Sequence, residues 1–129
     1  RVFLLKLLPG TSGRVLETLS SAFDAVIIES FGVGGLPNYG DDSFRTAIKD
    51  CLDAGKIIIM ATQVTHEGSD MTVYQVGKAI KDEFSLLESY DMTLEATVAK
   101  TMWALGQTSG REEFKRLFYT TINHDLLFA

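Results

Sequence analysis

Residues 25–37 read Ala-Val-Ile-Ile-Glu-Ser-Phe-Gly-Val-Gly-Gly-Leu-Pro. The first four are apolar and mostly β-branched, and they do not alternate with polar residues. A strand of that kind is buried on both faces, as in a parallel sheet. The run ends in a glycine-dense loop, ESFGVGGLP at 29–37, followed by an acidic helix start at Asp41 and Asp42. In open α/β sheets, ligands sit outside the carboxyl ends of the strands, where this loop lies. What it binds cannot be read from the loop alone and depends on two later segments, residues 62–77 and 91–100.

Working outward, residues 2–8 and 57–61 are runs of the same type, and a weaker one covers 84–87. Helical spacing lies between them. Over 12–23, Val15, Leu19 and Ala22 share a face, with Leu16 and Phe23 beside it. Over 42–54, Phe44, Ile48, Cys51 and Leu52 do so, with Asp41 as N-cap and Gly55 just past the end. Over 72–83 the stripe is Val73, Val76 and Ile80. Strands alternating with helices predict right-handed crossovers and an α/β fold with a parallel sheet. Further on, Asp91 or Thr93 caps a helix with Leu94, Val98, Met102 and Leu105 in line, Glu95 in its first turn and Gly106 at its end. Ser109 and Glu112 have capping-box spacing ahead of Phe114, Leu117 and Phe118. No linker, repeat or low-complexity segment interrupts the chain, and 129 residues fit one domain.

Twelve basic against seventeen acidic residues give a net charge of −5, with no basic cluster. That argues against nucleic acid or an anionic membrane as a main partner. No apolar run approaches the ~18 residues needed to span a bilayer. The opening RVFLLKLLPG is interrupted by Lys6 and lacks a small-residue cleavage site, so it reads as a buried strand rather than a signal peptide. One cysteine, Cys51, excludes an internal disulfide and fits a reducing compartment.

Gly32, Gly34 and Gly35 do not make a dinucleotide fingerprint, because the sixth position is Pro37 and the helix starts later. They fit a tight turn with φ > 0, or a loop whose backbone approaches a ligand or another subunit. The connection TQVTHEGSDMTVYQVG, 62–77, is longer and more polar than closure requires. His66 reads as a solvated loop histidine, and no metal-ligand spacing is present. Ser30, His66 and Asp70 could be drawn as a triad, but Ser30 lacks a nucleophile-elbow context. Glu67 and Asp70 could be an acid and base pair, though nothing predicts a raised pKa. Met60, Met71, Met92, Met102 and Trp103 are expected in or against the core.

Three segments in order carry a resemblance: SFGVG at 30–34, Thr62-Gln63 with a polar loop ending in Tyr74 and Gly77, and DMTLEATVAK at 91–100. Together they resemble the C-terminal domain of bacterial-type L-asparaginases, most closely type I, over essentially the whole chain. The resemblance implies a Rossmann-like three-layer α/β domain with a small parallel four-stranded sheet flanked by helices. It implies hydrolysis of L-asparagine to L-aspartate and ammonia by a threonine nucleophile, without metal or organic cofactor, in a cytoplasmic homodimer or homotetramer. The family's catalytic residues lie in the N-terminal domain, in T-G-G-T and T-D-T type motifs. Neither occurs here, so Arg1 is expected to be an artificial or internal start, and the fragment to be inactive alone.

What carries over is accessory. In the family this domain builds the intimate-dimer interface and helps close a neighbouring subunit's active site. Many members have Asn after GVG, reaching the neighbour's substrate; Gly35 stands there, beside Gly34, leaving only backbone. Tyr74 matches the tyrosine expected near the neighbour's substrate. A glutamate of type II enzymes is not matched, and Thr72 is the polar substitute at that place. The type I regulatory asparagine site uses an arginine before the Ser and a Cys after Thr-Gln; Glu29 and Val64 stand there, so that site is expected to be absent or altered. Asp91, Thr93, Glu95 and Lys100 are expected to cap and position a helix. The alternatives are an asparaginase-like subunit of a tRNA-dependent glutamine amidotransferase, and a non-catalytic module binding a small molecule or protein.

Overall fold

The computed structural model describes residues 1–32, 34–37, 43–64, 68–71 and 75–127, with Gln75 and Val76 by backbone alone. The elements run β1 (Val2–Lys6), α1 (Arg14–Ala22), β2 (Ala25–Ser30), α2 (Ser43–Asp53), β3 (Ile57–Thr62), α3 (Gln75–Phe84), β4 (Leu87–Glu88), α4 (Leu94–Gln107) and α5 (Arg111–Tyr119). The four strands are parallel in the order β1-β2-β3-β4. All six residues of β2 and five of the six in β3 are buried, as their unbroken apolar runs predict.

Pairing aligns Leu4, Ile27, Ile59 and Leu87 in one row and Leu5, Ile28, Met60 and Glu88 in the next. Successive rows point to opposite faces. Leu5, Ile28 and Met60 join Leu16, Leu19, Phe44, Ile48, Cys51 and Ile80 in one cluster, so α1, α2 and α3 cover that face. Ile27, Ile59 and Leu87 join Ala104, Phe114 and Phe118 in the other, under α4 and α5. Sequential strand order with crossovers of one hand puts the three connecting helices on one side. The chain after β4 covers the other and completes three layers.

Several expectations are corrected. The fourth strand is the two-residue Leu87–Glu88, not 84–87. Phe84 lies one turn after Ile80, extends the face of α3 and packs against the first cluster; Ser85, at φ +52°, then turns the chain. Helix α4 runs past Gly106 to Gln107, because a solvent-side glycine weakens a helix by only about 1 kcal/mol. Ser109 and Glu112 form no capping box. The N-cap of α5 is Gly110, whose N–H donates to Thr108 Oγ1 at 3.0 Å. Met60, Met71 and Met92 are buried, but Met102 is 59% and Trp103 41% exposed. Asp41 and Val73 lie outside the described residues. Among the described residues, no helix is long and apolar enough to cross a membrane.

Candidate functional site at the carboxyl ends of the strands

The glycine-dense loop leaves β2 and folds back at once. Phe31 N–H donates to Gly35 O at 2.9 Å, and Gly35 N–H donates to Phe31 O at 2.7 Å. The turn needs Gly32 at φ +50°. Gly34 serves a different purpose: a Cβ there would lie 2.7 Å from Met71 Cα. The tight-turn reading holds for Gly32, whereas the close approach at Gly34 is to the polar loop of this same chain rather than to a ligand or another subunit. At Gly35 a Cβ would lie 3.0 Å from Phe31 O, so the position is filled by backbone contact within the loop.

The Thr-Gln pair after β3 braces this loop. Thr62 Oγ1 donates to Gly32 O and accepts Val64 N–H at 2.9 Å. Gln63 Nε2 donates to Leu7 O at 2.8 Å and Glu29 O at 3.1 Å, tying the ends of β1 and β2. Glu29 is buried, with its carboxylate 3.4 Å from Lys6 Nζ. Ser30 is no nucleophile, because it is buried and its hydroxyl donates to Ala61 O at 2.7 Å.

The described part of the polar loop, residues 68–71, is sewn to the end of β4. Ser69 N–H donates to Tyr90 O at 2.8 Å, and Tyr90 N–H donates to Ser69 Oγ at 2.9 Å. Glu88 Oε2 accepts Met71 N–H at 2.9 Å, while Oε1 pairs with Lys81 Nζ from α3. Lys81 also lies 3.4 Å from Tyr90 Oη and 5.4 Å from that ring's centroid. Burial works against its ammonium, but Glu88 and Tyr90 outweigh burial and hold its pKa above the ordinary lysine value. Glu88 N–H donates to Tyr119 Oη at 2.9 Å.

Of the sequence-predicted site residues, Gly34 and Gly35 lie at the carboxyl edge of the sheet, Gly34 against Met71. Thr72 and Tyr74, like His66 and Glu67, lie outside the described residues. Thr93 caps α4, its Oγ1 accepting Ala96 N–H at 3.1 Å. Asp91 instead accepts Leu127 N–H. Lys100 is buried with its ammonium 2.8 Å from Asp125 Oδ2, and Glu95 is exposed in the first turn. Thr93 and Lys100 thus have the helix-capping and helix-positioning roles expected of them, whereas Asp91 fastens the segment after α5 instead of capping α4. Glu88, Lys81 and Ser69 were missed. The available signal was a carboxylate closing the apolar run Leu86-Leu87, since a charge inside a doubly covered sheet requires a partner.

Among the described residues no cluster could hold a metal ion. Cys51 is buried, and burial pushes its thiol pKa up, which makes it inert. The strand order never reverses, so the sheet has no switch-point crevice of the kind that holds ligands in doubly wound folds. A depression of about 490 Å³ opens at the opposite end, between Asp24, Gly55, Lys56 and the α4–α5 turn.

The glutaminase/asparaginase C-terminal domain model matches residues 1–118. The L-asparaginase of Thermococcus kodakarensis is 35% identical over 118 residues, 92% of this chain and 35% of that protein. One subunit of the glutamyl-tRNA(Gln) amidotransferase of Metallosphaera sedula is 36% identical over 123 residues, 95% of this chain and 27% of that one. The solved thermostable T. kodakarensis L-asparaginase superposes with a TM-score of 0.89 at 33% identity, covering 99% of this chain and 38% of that one. L-asparaginase I of Vibrio cholerae gives 0.84 at 28% identity, covering 98% and 38%. The chain spans about a third of the length of these proteins. With 118 of its 129 residues matched and the four-stranded α/β fold in common, the chain belongs to the glutaminase/asparaginase C-terminal domain family.

Proposed function

We propose that this domain is the accessory half of a cytoplasmic L-asparagine amidohydrolase. The nucleophile then resides in a preceding domain, and residues 1–129 supply the dimer interface and close the active site of a neighbouring subunit. Gly34, Gly35, Thr72 and Tyr74 are the residues assigned to face the neighbour's substrate. The observation that carries this reading is the carboxyl edge of the sheet. Two loops are locked together there, around Gly34 and Met71, on a sheet whose strand order never reverses. Such an edge offers a shaped wall, and in this reading a second body supplies the reacting groups.

The identity to the amidotransferase protein favours a second reading, in which ammonia from glutamine is passed to a partner. A protein that carries this domain behind the amidase half decides between them when ammonia release is followed from asparagine and from glutamine. The asparaginase reading requires release from asparagine to dominate, and the amidotransferase reading requires release from glutamine to do so. The 129-residue chain alone is expected to release no ammonia above background, and robust release from it sinks the two-domain reading. Glu29 and Val64 at the positions of the regulatory site predict hyperbolic dependence on asparagine; sigmoidal kinetics abolished by changes at Glu29 would overturn that.

A further inference from the structure

Glu88 is the one charged residue in the row Leu5, Ile28, Met60, Glu88, and it is fully buried at 0% exposure. Burying a carboxylate costs several kcal/mol unless it is paired and hydrogen-bonded. An apolar residue in the same place is often neutral or stabilising, so stability alone does not explain Glu88. What the carboxylate alone provides is an acceptor for Met71 N–H at 2.9 Å, with Lys81 closing the charge.

Met71 is where the two loops meet. A Cβ at Gly34 would lie 2.7 Å from Met71 Cα, and one at Gly77 2.8 Å from Met71 O and 3.0 Å from Gly34 O. The Met71 backbone therefore sits between two glycines, Gly34 from the loop after β2 and Gly77 from the first turn of α3, directly before Thr72. The neighbouring Ser69 has independent fastenings, to Tyr90 and to Ser89 Oγ at 3.3 Å. Strand β4 pairs with β3 through two residues only, and the loop is attached to its end by one backbone bond, Ser69 N–H to Tyr90 O, together with the side chains of Ser69 and Glu88.

We propose that Glu88, with Lys81 as its counterion, is a positioning residue: it fixes Met71 between Gly34 and Gly77, and so sets residues 68–71 against the glycine loop without touching substrate. This rests on the accessory-site reading above for its functional part only. The loop-setting part stands on the contacts just given.

Amide hydrogen exchange on the 129-residue chain, read by NMR, tests the setting. In Glu88→Leu the Met71 amide is expected to exchange at least about tenfold faster, together with those of Gly34 and Gly35. Ser69 and the β2 residue Ile27 should stay protected. Glu88→Gln keeps an acceptor oxygen and should restore most of the Met71 protection. Should Glu88→Leu not fold, Glu88→Leu/Lys81→Met leaves no orphaned charge and gives the same readout. Unchanged Met71 exchange, or loss of protection in Ser69 and Ile27 alongside it, overturns the proposal.

In the protein that joins this domain to its amidase half, Glu88→Leu should raise KM for asparagine about tenfold, change kcat by less than about threefold, and be rescued by Gln. Released Met71 with unchanged KM rejects the positioning role. If the parent protein hydrolyses neither asparagine nor glutamine, the functional reading fails instead, and the exchange rates still decide whether Glu88 sets the loops.

Discussion

Helices α2 and α4 read alike in the sequence and bury different kinds of face. In α2 the stripe Phe44, Ala47, Ile48 and Cys51 faces the sheet and is buried. In α4 the aligned apolar residues lie on the helix flank, Leu94, Val98 and Leu105 half-buried against the second cluster and Met102 exposed. The buried positions are Thr97, Lys100, Thr101 and Ala104. Two of these satisfy their own hydroxyls: Thr97 Oγ1 donates to Thr93 O at 2.8 Å and Thr101 Oγ1 to Thr97 O at 2.7 Å. A threonine bonded back to its own helix carries little polar penalty into a core. Lys100 is buried with Asp125, from the segment after α5, as its ion-pair partner at 2.8 Å. Apolar periodicity therefore identifies a helix, while the face that packs is chosen by which polar side chains find partners.

The sharpest test of this contrast is truncation of the buried stripe in α2. Ile48→Ala should cost about 4 kcal/mol of unfolding free energy, since a fully buried aliphatic side chain leaves a cavity behind. Chemical denaturation measures it, and a loss below about 1 kcal/mol would mean that α2 does not anchor its layer. The matching change in α4 is Lys100→Ala, which leaves Asp125 without its cation and should cost about 3 kcal/mol. Its pH dependence is distinctive. Burial pushes the Asp125 carboxyl up, but Lys100 and the Ile122 amide outweigh it, so its pKa lies below the usual carboxylate value. A depressed carboxylate contributes stability that is present above its unfolded pKa and lost as pH falls through the folded one. The gap between parent and Lys100→Ala should therefore be full at neutral pH and narrow on the acid side. A gap that widened toward low pH would contradict the pairing.

Legibility in the sequence followed how local the cause was. Strands β2 and β3 could be read because burial on both faces leaves an unbroken apolar run, and α2 because its core face is made of apolar side chains alone. The shape of the glycine loop was readable through its motif, but not its contact: Gly34 is needed because Met71, from another connection, passes 2.7 Å from where its Cβ would be. Strand β4 was misplaced because two residues carry no pattern, and its neighbour Phe84 belongs to the stripe of α3. Glu88 and Lys81 were missed for the same reason as the inner face of α4. A buried charge is explained by its partner, and the partner lies elsewhere in the chain.

Smaller effects probe the ends and the outer flank of α4. Thr93→Ala removes the cap bond to Ala96 N–H and should cost about 1 kcal/mol. If it cost nothing in stability while the joined amidase lost activity, Thr93 would belong to the site rather than to the helix.

The smallest expected change, and the one that most directly separates the two helices, is Met102→Gln. Met102 belongs to the apolar line that the sequence places in the core, yet it is 59% exposed, and it lies with Leu4, Leu94 and Val98 along the outer edge of β1. Its thioether contributes little burial to this chain, so stability should change by no more than about 0.5 kcal/mol, against about 4 kcal/mol for Ile48→Ala. A loss of 2 kcal/mol or more, about half that for Ile48, would place Met102 in a folded-state contact, and α4 would then bury its stripe as α2 does. Thermal unfolding at several protein concentrations separates that outcome from self-association. A Met102 contact within one chain gives a midpoint independent of concentration, whereas a contact between copies makes the midpoint rise with concentration in the parent and not in Met102→Gln.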